Sequence, residues 1–400
     1  MSATLAINGG TPVRTGPFPP QKKVGKEELK ELVDVIDSGN MNRWGGTKVV
    51  AFEEEFAAIH GAKYGVASTS GTSALHTAVG MINPSPGQEI ITGPITDMGS
   101  IVPILYQGAI PIFAECAPDT FNMDPADIEA KITEKTAAIM AIHLFGNPCD
   151  MDPIMEIARA HNLPVIEDCS QAHLSEYKGK LVGTMHITSG DGGIAITNDD
   201  EFGIRGKLFT DKGWHREQYG PRVYEVFGPN YRMNELSGAV ALAQTRKMRD
   251  IIDLRRARGD LLRELLAHVP HVRLQKLMEG CKHTYWQFGM YVEDDAPFTP
   301  TEFAQALSAE GVPCGAHYIG RPIFLCHDAL RNQRLFGDSR YPFDHPNARP
   351  GITYDENTCP QTQHVLDRLV QPMCPTQFMS EDDVRDIGAA IEKVAEGLRK

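Results

Sequence analysis

The segment GVASTSGTSALHTAV (65–79) sets a run of hydroxyls and a glycine between a strand-like and a helix-like stretch. If the helix opens near Gly71 to Ser73, its free N–H groups, its positive end and the hydroxyls form a cradle for an anion such as phosphate. An ordinary N-capped helix after a strand would show the same residues. A second segment, PVIEDCSQAH (164–173), places Asp168 at the carboxyl end of an apolar run, where open α/β sheets bind ligands. A carboxylate there can keep a ring N–H⁺ protonated, as a pyridine cofactor needs in order to withdraw electrons. Taken alone, Asp168 could equally cap the next helix. The third segment, FGPNYRMNELSGAVALAQ (227–244), presents Asn230, Tyr231 and Arg232 just ahead of a helix. They could bond something outside their own stretch, or simply form the turn before a helix capped by Asn234. No set of His, Cys, Asp and Glu has metal-ligand spacing, so no metal is expected. Asp150 and Asp152 read as turn and cap residues, and His76 as a packing histidine.

The elements that position these segments alternate. Short β-rich runs lie at 65–68, 89–92, 110–115, 137–143, 164–168 and 193–197. Each has the length and composition of a strand buried on both faces. Amphipathic helices lie between several of them, and another precedes them, KEELKELVDVIDSG (26–39), with Leu29, Leu32, Val33 and Ile36 on one stripe and Gly39 to end it. This alternation predicts an α/β sandwich around a mostly parallel sheet. After about residue 245 the pattern changes to a long basic helix near 244–267, then mixed strands and helices. Arg246, Lys247, Arg249, Arg255, Arg256 and Arg258 read as a solvated helix face. Ser380 should cap the last helix, with Val384, Ile387, Ile391, Val394 and Leu398 inward. The polar, turn-rich stretch 330–362 is long enough to predict a functional or mobile loop.

At 400 residues the chain exceeds what one core serves, which predicts a large domain over 1–245 and a smaller one over 246–400. A composition of 42% hydrophobic and 23% charged residues excludes disorder and fibrous repeats. The net charge of −13 disfavours nucleic acid as a partner. No run is apolar enough to span a membrane, and the start MSATLAINGGTPVR lacks a signal pattern, so a cytoplasmic protein is expected. The eight scattered cysteines contain no CxxC, as in a reducing compartment.

Taken together, six ordered blocks are more specific than any one. They are FEEEFAAIHGAKYGVASTSGTSALHTAV, GAIPIFAECAPDTFNMDPADIEAKIT, HLFGNPCDMDPIMEIARAHNLPVIEDCSQAH, GDGGIAITND, NYRMNELSGAVALAQ and GVPCGAHY. The chain resembles the DegT/DnrJ/EryC1/StrS family of pyridoxal-phosphate-dependent sugar aminotransferases. LAINGGTPVR and PITDMGSIVPILYQGAIPIF look most like its cyclitol branch, the scyllo-inosose aminotransferases. The resemblance implies a fold-type I transferase with a large α/β/α domain and a smaller C-terminal α+β domain. It implies pyridoxal 5′-phosphate as cofactor, glutamine or glutamate as donor, a keto-sugar or keto-cyclitol as acceptor, and a homodimer with shared sites.

Carried over by position, the resemblance gives Thr72 and Ser73 the cofactor phosphate, Asp168 the pyridine nitrogen and Gln171 the ring hydroxyl. Asn230 would reach the neighbouring subunit's phosphate, while His317 and Tyr318 would lean toward substrate. The aromatic that relatives stack on the ring is not evident; Asp97 or Met98 stands there. One departure outweighs these matches. Between Met185 and His186 the family pattern would place a strand, a phosphate-binding serine and the lysine that forms the Schiff base, and this sequence has none of them. Lys178, Lys180, Lys207 and Lys212 do not inherit that position, so no catalytic residue is identified. Two further readings therefore accompany the aminotransferase: an inactive family member serving as partner subunit or binding protein, and a pyridoxamine-phosphate-dependent dehydratase using a histidine; HITSGDGG resembles the dehydratase ending, but His186 aligns with the second histidine of that pattern and could equally just follow a missing lysine. A break between Met185 and His186 is expected if a segment is missing there.

Overall fold

A computed structural model describes residues 4–183, 192–216 and 222–399. In chain order, α1 (Lys26–Ser38) and α2 (Lys48–Ile59) lead to β1 (Tyr64–Ser68), α3 (Gly71–Ile82), β2 (Glu89–Thr92) and α4 (Met98–Tyr106). Then come β3 (Ile110–Phe113), α5 (Pro125–Ala130), β4 (Thr136–Ile142), α6 (Met151–Ala160) and β5 (Val165–Asp168). The hairpin β6 (Glu176–Tyr177) and β7 (Lys180–Leu181) precedes β8 (Gly193–Thr197) and α7 (Asp200–Thr210). The 31-residue helix α8 (Glu235–Leu265) passes to β9 (Val272–Leu274), β10 (Met290–Val292), α9 (Pro300–Ala309) and β11 (Cys314–Ala316). The chain ends with α10 (Ile323–Cys326), α11 (Asp328–Arg331), α12 (Pro360–Arg368), β12 (Leu369–Pro372) and α13 (Glu381–Gly397).

The central sheet runs β3-β2-β4-β5 and is parallel throughout. Its strands are short and β-branched because helices cover both faces; every residue of β2 and β3 is buried. β1 and β8 pair antiparallel in a separate sheet, from Tyr64↔Thr197 to Ser68↔Gly193. Helix α3 packs on β1, β5 and β8 and so lies under both sheets. Among the described residues, no strand pairs with the second edge of β5 or of β8. The space between them is walled by Val165, Ile166 and Glu167 on one side and Ala195, Ile196 and Thr197 on the other, with Ala78, Met81 and Ile82 of α3 as floor. The expected break between Met185 and His186, and the reading of His186, fall in 184–191, outside the described residues.

The C-terminal unit is the antiparallel sheet β11-β12-β10-β9 against α9 and α13. Ser380 caps α13 in a reciprocal pair with Asp383, and Val384, Ile387, Ile391 and Val394 are fully buried as expected. The amino-terminal stretch also belongs to this core. Leu5 lies in it, Ala6 and Val13 donate to the buried Glu310, and Arg14 pairs with Asp383 at 2.8 Å.

Two expectations change. The basic residues of α8 are not merely a solvated face. Arg255 donates to the carbonyl of Tyr285, Arg256 to those of Leu174 and His283, and Arg258 to that of Met379, so the helix ties the two units together. The stretch 330–362 is pinned: Arg349 pairs with the buried Glu89 at 2.8 Å, and Tyr354 donates to the carbonyl of Pro111 at 2.8 Å. Among the described residues, no helix is long and apolar enough to cross a membrane.

Of the stripe expected on helix α1, Leu29, Val33 and Ile36 are exposed and Leu32 is half-buried, while Val35 is the apolar residue that is buried. Glu28 and Glu31 also face the body: Glu28 meets Lys247 at 2.5 Å and accepts from Gln244 at 2.7 Å, while Glu31 meets Lys48 at 2.5 Å and Arg246 at 2.8 Å. Burial alone would raise the Glu28 carboxyl, but Lys247 and the Gly25 N–H outweigh it and hold it below the ordinary glutamate range. A depressed folded value stabilises the docked helix at pH above ~4.3, and the contribution is lost as pH falls through the folded value. Amide exchange should therefore show α1 opening below about pH 4 ahead of α8, and Glu28→Gln should remove that pH dependence. Equal protection of α1 and α8 down to global unfolding would contradict this.

Candidate active site

Asp168 ends β5 and is 4% exposed. One carboxylate oxygen accepts from the Ser100 hydroxyl at 2.7 Å; the other accepts from the Ser170 N–H at 3.0 Å and its hydroxyl at 2.6 Å. Ser170 was signalled by its position two residues after an Asp at a strand end. Ser100, distant in sequence and brought in by α4, had no signal. It in turn shares a hydrogen bond with Thr96 at 2.8 Å.

The amino ends of α3 and α4 meet beside this carboxylate. Ser70 caps α3 by accepting from the Ser73 N–H, and the Ser73 hydroxyl answers by accepting from the Ser70 N–H at 2.7 Å. Ser73 thus spends its hydroxyl on the cap, whereas Thr72 is exposed. Asp97 caps α4 by accepting from Gly99 at 2.7 Å. Gly99 eases the close approach of the two helices: a Cβ there would lie 2.9 Å from Thr72 Oγ1. Two helix amino ends with an exposed threonine between them suit an anion.

Gln171 accepts from the Phe145 N–H at 2.7 Å and faces the Tyr318 hydroxyl at 3.5 Å. Phe145 and Tyr318 meet edge to face at 5.0 Å, and these are the aromatic rings beside Gln171. Burial pushes the Tyr318 hydroxyl up, and the charge of Asp97 adds to this. His317 and Tyr318 are consecutive residues with positive φ, 67° and 50°. That turn aims Tyr318 at Gln171 and sends His317 to Thr301 of α9, at 3.0 Å. The structure therefore brings Tyr318 to Gln171 but not His317. Tyr318→Phe should weaken binding of pyridoxamine phosphate about two- to tenfold, the worth of one hydrogen bond, and His317→Ala should leave it unchanged. Equilibrium dialysis checks both; the reverse order would refute this placement.

Asn230 is exposed, with its backbone bridged to Asp211. The next residue, Tyr231, accepts the Thr69 N–H at 3.1 Å through its carbonyl, and its hydroxyl meets His76 at 3.0 Å. His76 also meets Gln107 at 3.2 Å, so this buried histidine packs and holds Tyr231. Asp211 is a buried hub bonded by Trp44, Lys212, Arg216 and Arg232.

Behind Asp168, folding gathers His143, Glu167 and Cys169, which no spacing in the sequence announces. His143 Nδ1 accepts the Cys149 N–H at 2.9 Å, so Nε2 carries the proton and donates to Glu167 at 3.1 Å. A metal would need the lone pair that this proton occupies, so the group is a hydrogen-bonded support for β5. Although burial would raise the Glu167 carboxyl, the His143 bond outweighs it and holds it low.

Of the lysines nearest the site in sequence, Lys178 holds Asp152 at 2.5 Å, Lys180 lies exposed on the β6–β7 hairpin, Lys207 lies over the Tyr64 ring and Lys212 pairs with Asp211 at 3.1 Å. None of these contacts is with Asp168, Gln171 or Thr72.

A model of the DegT/DnrJ/EryC1/StrS aminotransferase family matches residues 22–392. The chain is 30% identical over 397 residues to the spore coat polysaccharide biosynthesis protein SpsC of Bacillus subtilis (strain 168), covering 94% of this chain and 96% of that protein. It is also 30% identical to the L-glutamine:2-deoxy-scyllo-inosose aminotransferase of Streptoalloteichus tenebrarius, covering 98% of each. Among solved structures it is similar to the aminotransferase from Psychrobacter cryohalolentis, with a TM-score of 0.82 and 28% identity over 96% of this chain and 100% of that one. The fold-type I class expected from the sequence, an α/β fold with a parallel sheet, is thereby borne out. Matched nearly end to end and folded as these relatives fold, the chain belongs to the DegT/DnrJ/EryC1/StrS aminotransferase family.

Proposed function

We propose that this chain transfers an amino group from glutamine or glutamate to a keto-sugar or keto-cyclitol, with pyridoxal 5′-phosphate held around Asp168 in a homodimer. The observation that carries this reading is the buried Asp168 carboxylate at the carboxyl end of β5, beside the joined amino ends of α3 and α4. The relative named for glutamine and 2-deoxy-scyllo-inosose favours the cyclitol and the glutamine.

The residues present fit the non-covalent holding of such a cofactor. Bound there, it supplies an electron sink. Asp168 keeps a ring nitrogen protonated, and its own place is fixed by Ser100 and Ser170. Thr72 and the amino end of α3 take the phosphate, with Ser73 holding the cap in shape. Gln171 and Tyr318 border the ring, and Asn230 serves the partner's site. Proton transfer at the reacting carbon needs an amine within bonding reach. In this reading it comes from the lysine segment that the family pattern places between Met185 and His186.

The split between β5 and β8 favours a second reading for the chain as given, an inactive relative that keeps the fold. Intact mass with a visible spectrum separates the two. A mass above 44.0 kDa with a chromophore that borohydride bleaches supports the aminotransferase. A mass matching the sequence, with no chromophore after cofactor is added, supports the inactive relative. A matching mass with tightly bound pyridoxamine phosphate points to the dehydratase.

A further inference from the structure

The polar stretch 330–362, pinned to the body by Arg349 and Tyr354, borders a hollow of about 540 Å³. Three guanidinium groups from three separate turns line it, those of Arg331, Arg340 and Arg349, together with Gln333, Phe343 and Ile352. Each cation keeps bonding capacity in reserve. Arg340 donates to Oε1 of Gln333 at 2.6 Å, a neutral acceptor, and Gln333 is 8% exposed and anchored by its own donation to the Ile352 carbonyl at 2.6 Å. Arg349 spends its Nε on the buried Glu89 at 2.8 Å, which leaves its two terminal nitrogens without a partner among the described residues. Arg331 has the exposed Asp328 beside it, at 3.8 Å.

The carboxylate on the wall, that of Asp355, accepts the Asn357 N–H at 2.8 Å within its own turn. In a chain of net charge −13, three arginines against one aspartate around a single hollow reverse the local sign. We infer that this hollow binds a phosphate group, as the free ion or as the phosphate monoester of a small molecule. A guanidinium presents its donors in a planar fork that matches a pair of oxygens. One fork exhausts a carboxylate, whereas phosphate has oxygens enough for forks arriving from different directions. The hollow is larger than a single ion, and Phe343 and Ile352 give an apolar wall for the remainder of an ester.

This site is separate from the one around Asp168. Arg349 holds Glu89, the first residue of β2, and Tyr354 holds the carbonyl of Pro111 in β3, so the hollow lies at the amino end of the parallel sheet. Asp168 stands at the other end. On β4, Glu89 pairs with Thr136 and Asp168 with Ile142, and that length of strand is roughly 20 Å. A phosphate held by these arginines is therefore not the one assigned to the amino end of α3.

Calorimetric titration of the full chain with inorganic phosphate at constant ionic strength tests this, with glycerol 3-phosphate as the ester probe. The wild type should bind phosphate with a dissociation constant of about 1 mM or tighter. Arg340→Gln and Arg331→Gln should each weaken binding at least tenfold, the worth of one charge-assisted hydrogen bond, with an unchanged circular dichroism spectrum. Arg331 holds no buried group, so its variant reads the site even if the loss of Arg340 disturbs Gln333. Thr72→Ala, at the other anion cradle, should leave this binding in place. Tighter binding of glycerol 3-phosphate identifies an ester, equal or weaker binding identifies the free ion, and both support the site. No phosphate binding by the wild type, wild-type affinity in both arginine variants, or loss of all phosphate binding in Thr72→Ala overturns the inference. Succinate bound as tightly as phosphate also overturns it, since the hollow would then be a general anion trap.

Discussion

In the lysine-bearing form of the chain that the proposed function requires, Asp168→Asn is expected to leave the protein folded and to lower amino transfer by ~100-fold or more, the cost of removing one preorganised electrostatic partner. Asparagine keeps the size of the side chain and one acceptor oxygen. Its new N–H₂ group takes the place of the oxygen facing Ser100, whose hydroxyl can rotate to accept, while the remaining oxygen keeps the Ser170 N–H and hydroxyl. No buried polar atom is then orphaned, and the melting point should move by only a few degrees. What is lost is the negative charge that holds a ring nitrogen protonated. A binding measurement reads the same loss without turnover: pyridoxamine phosphate on the variant should show the spectrum of the unprotonated ring. Wild-type half-reaction rates together with an unchanged ring spectrum would remove Asp168 from this role. Ser100→Ala is the companion test, since it frees one carboxylate oxygen and leaves the charge in place. It should cost far less than the asparagine.

The strands were legible because each is a short β-rich run with one residue type on both faces. The runs 89–92 and 193–197 are the same residues as β2 and β8. Asp168 was legible for the same reason, since a strand's last residue is fixed once the strand is. Other features depend on contacts that no local pattern carries. The stripe of α1 follows from helical periodicity, but periodicity gives no partner, and the ion pairs of Glu28 and Glu31 turned Leu29, Val33 and Ile36 outward. The arginines of α8 form the expected charge run, yet they reach carbonyls of segments far away in sequence, which only the packed fold brings near. Tyr318 and His317 are adjacent, and two successive left-handed residues send them in different directions. Ser100 and the His143–Glu167–Cys169 group were silent because their meaning lies wholly in what folding sets beside them.

Inserting a strand-length segment between Met185 and His186, ending in a lysine, is expected to raise stability and to create a chromophore. β5 and β8 each present an edge that no described strand pairs, over a floor of Ala78, Met81 and Ile82. A strand of roughly five residues would pair with both edges. Each ladder hydrogen bond is worth ~1 kcal/mol net, so a handful of them amounts to several kcal/mol before any apolar burial. For a chain of this size that corresponds to a melting point higher by roughly 5 °C or more, readable by calorimetry. The lysine at its end would stand at the carboxyl side of the sheet, the side on which Asp168 sits, so cofactor should then give a visible band that borohydride bleaches. Changing only that lysine to alanine should keep the gain in stability and abolish the band, which separates the strand's role from the amine's. An inserted protein less stable than its parent would mean that the space between β5 and β8 is not built for a strand. A parent that already shows the bleachable band would mean that another amine serves the site, and the insertion would then add stability alone.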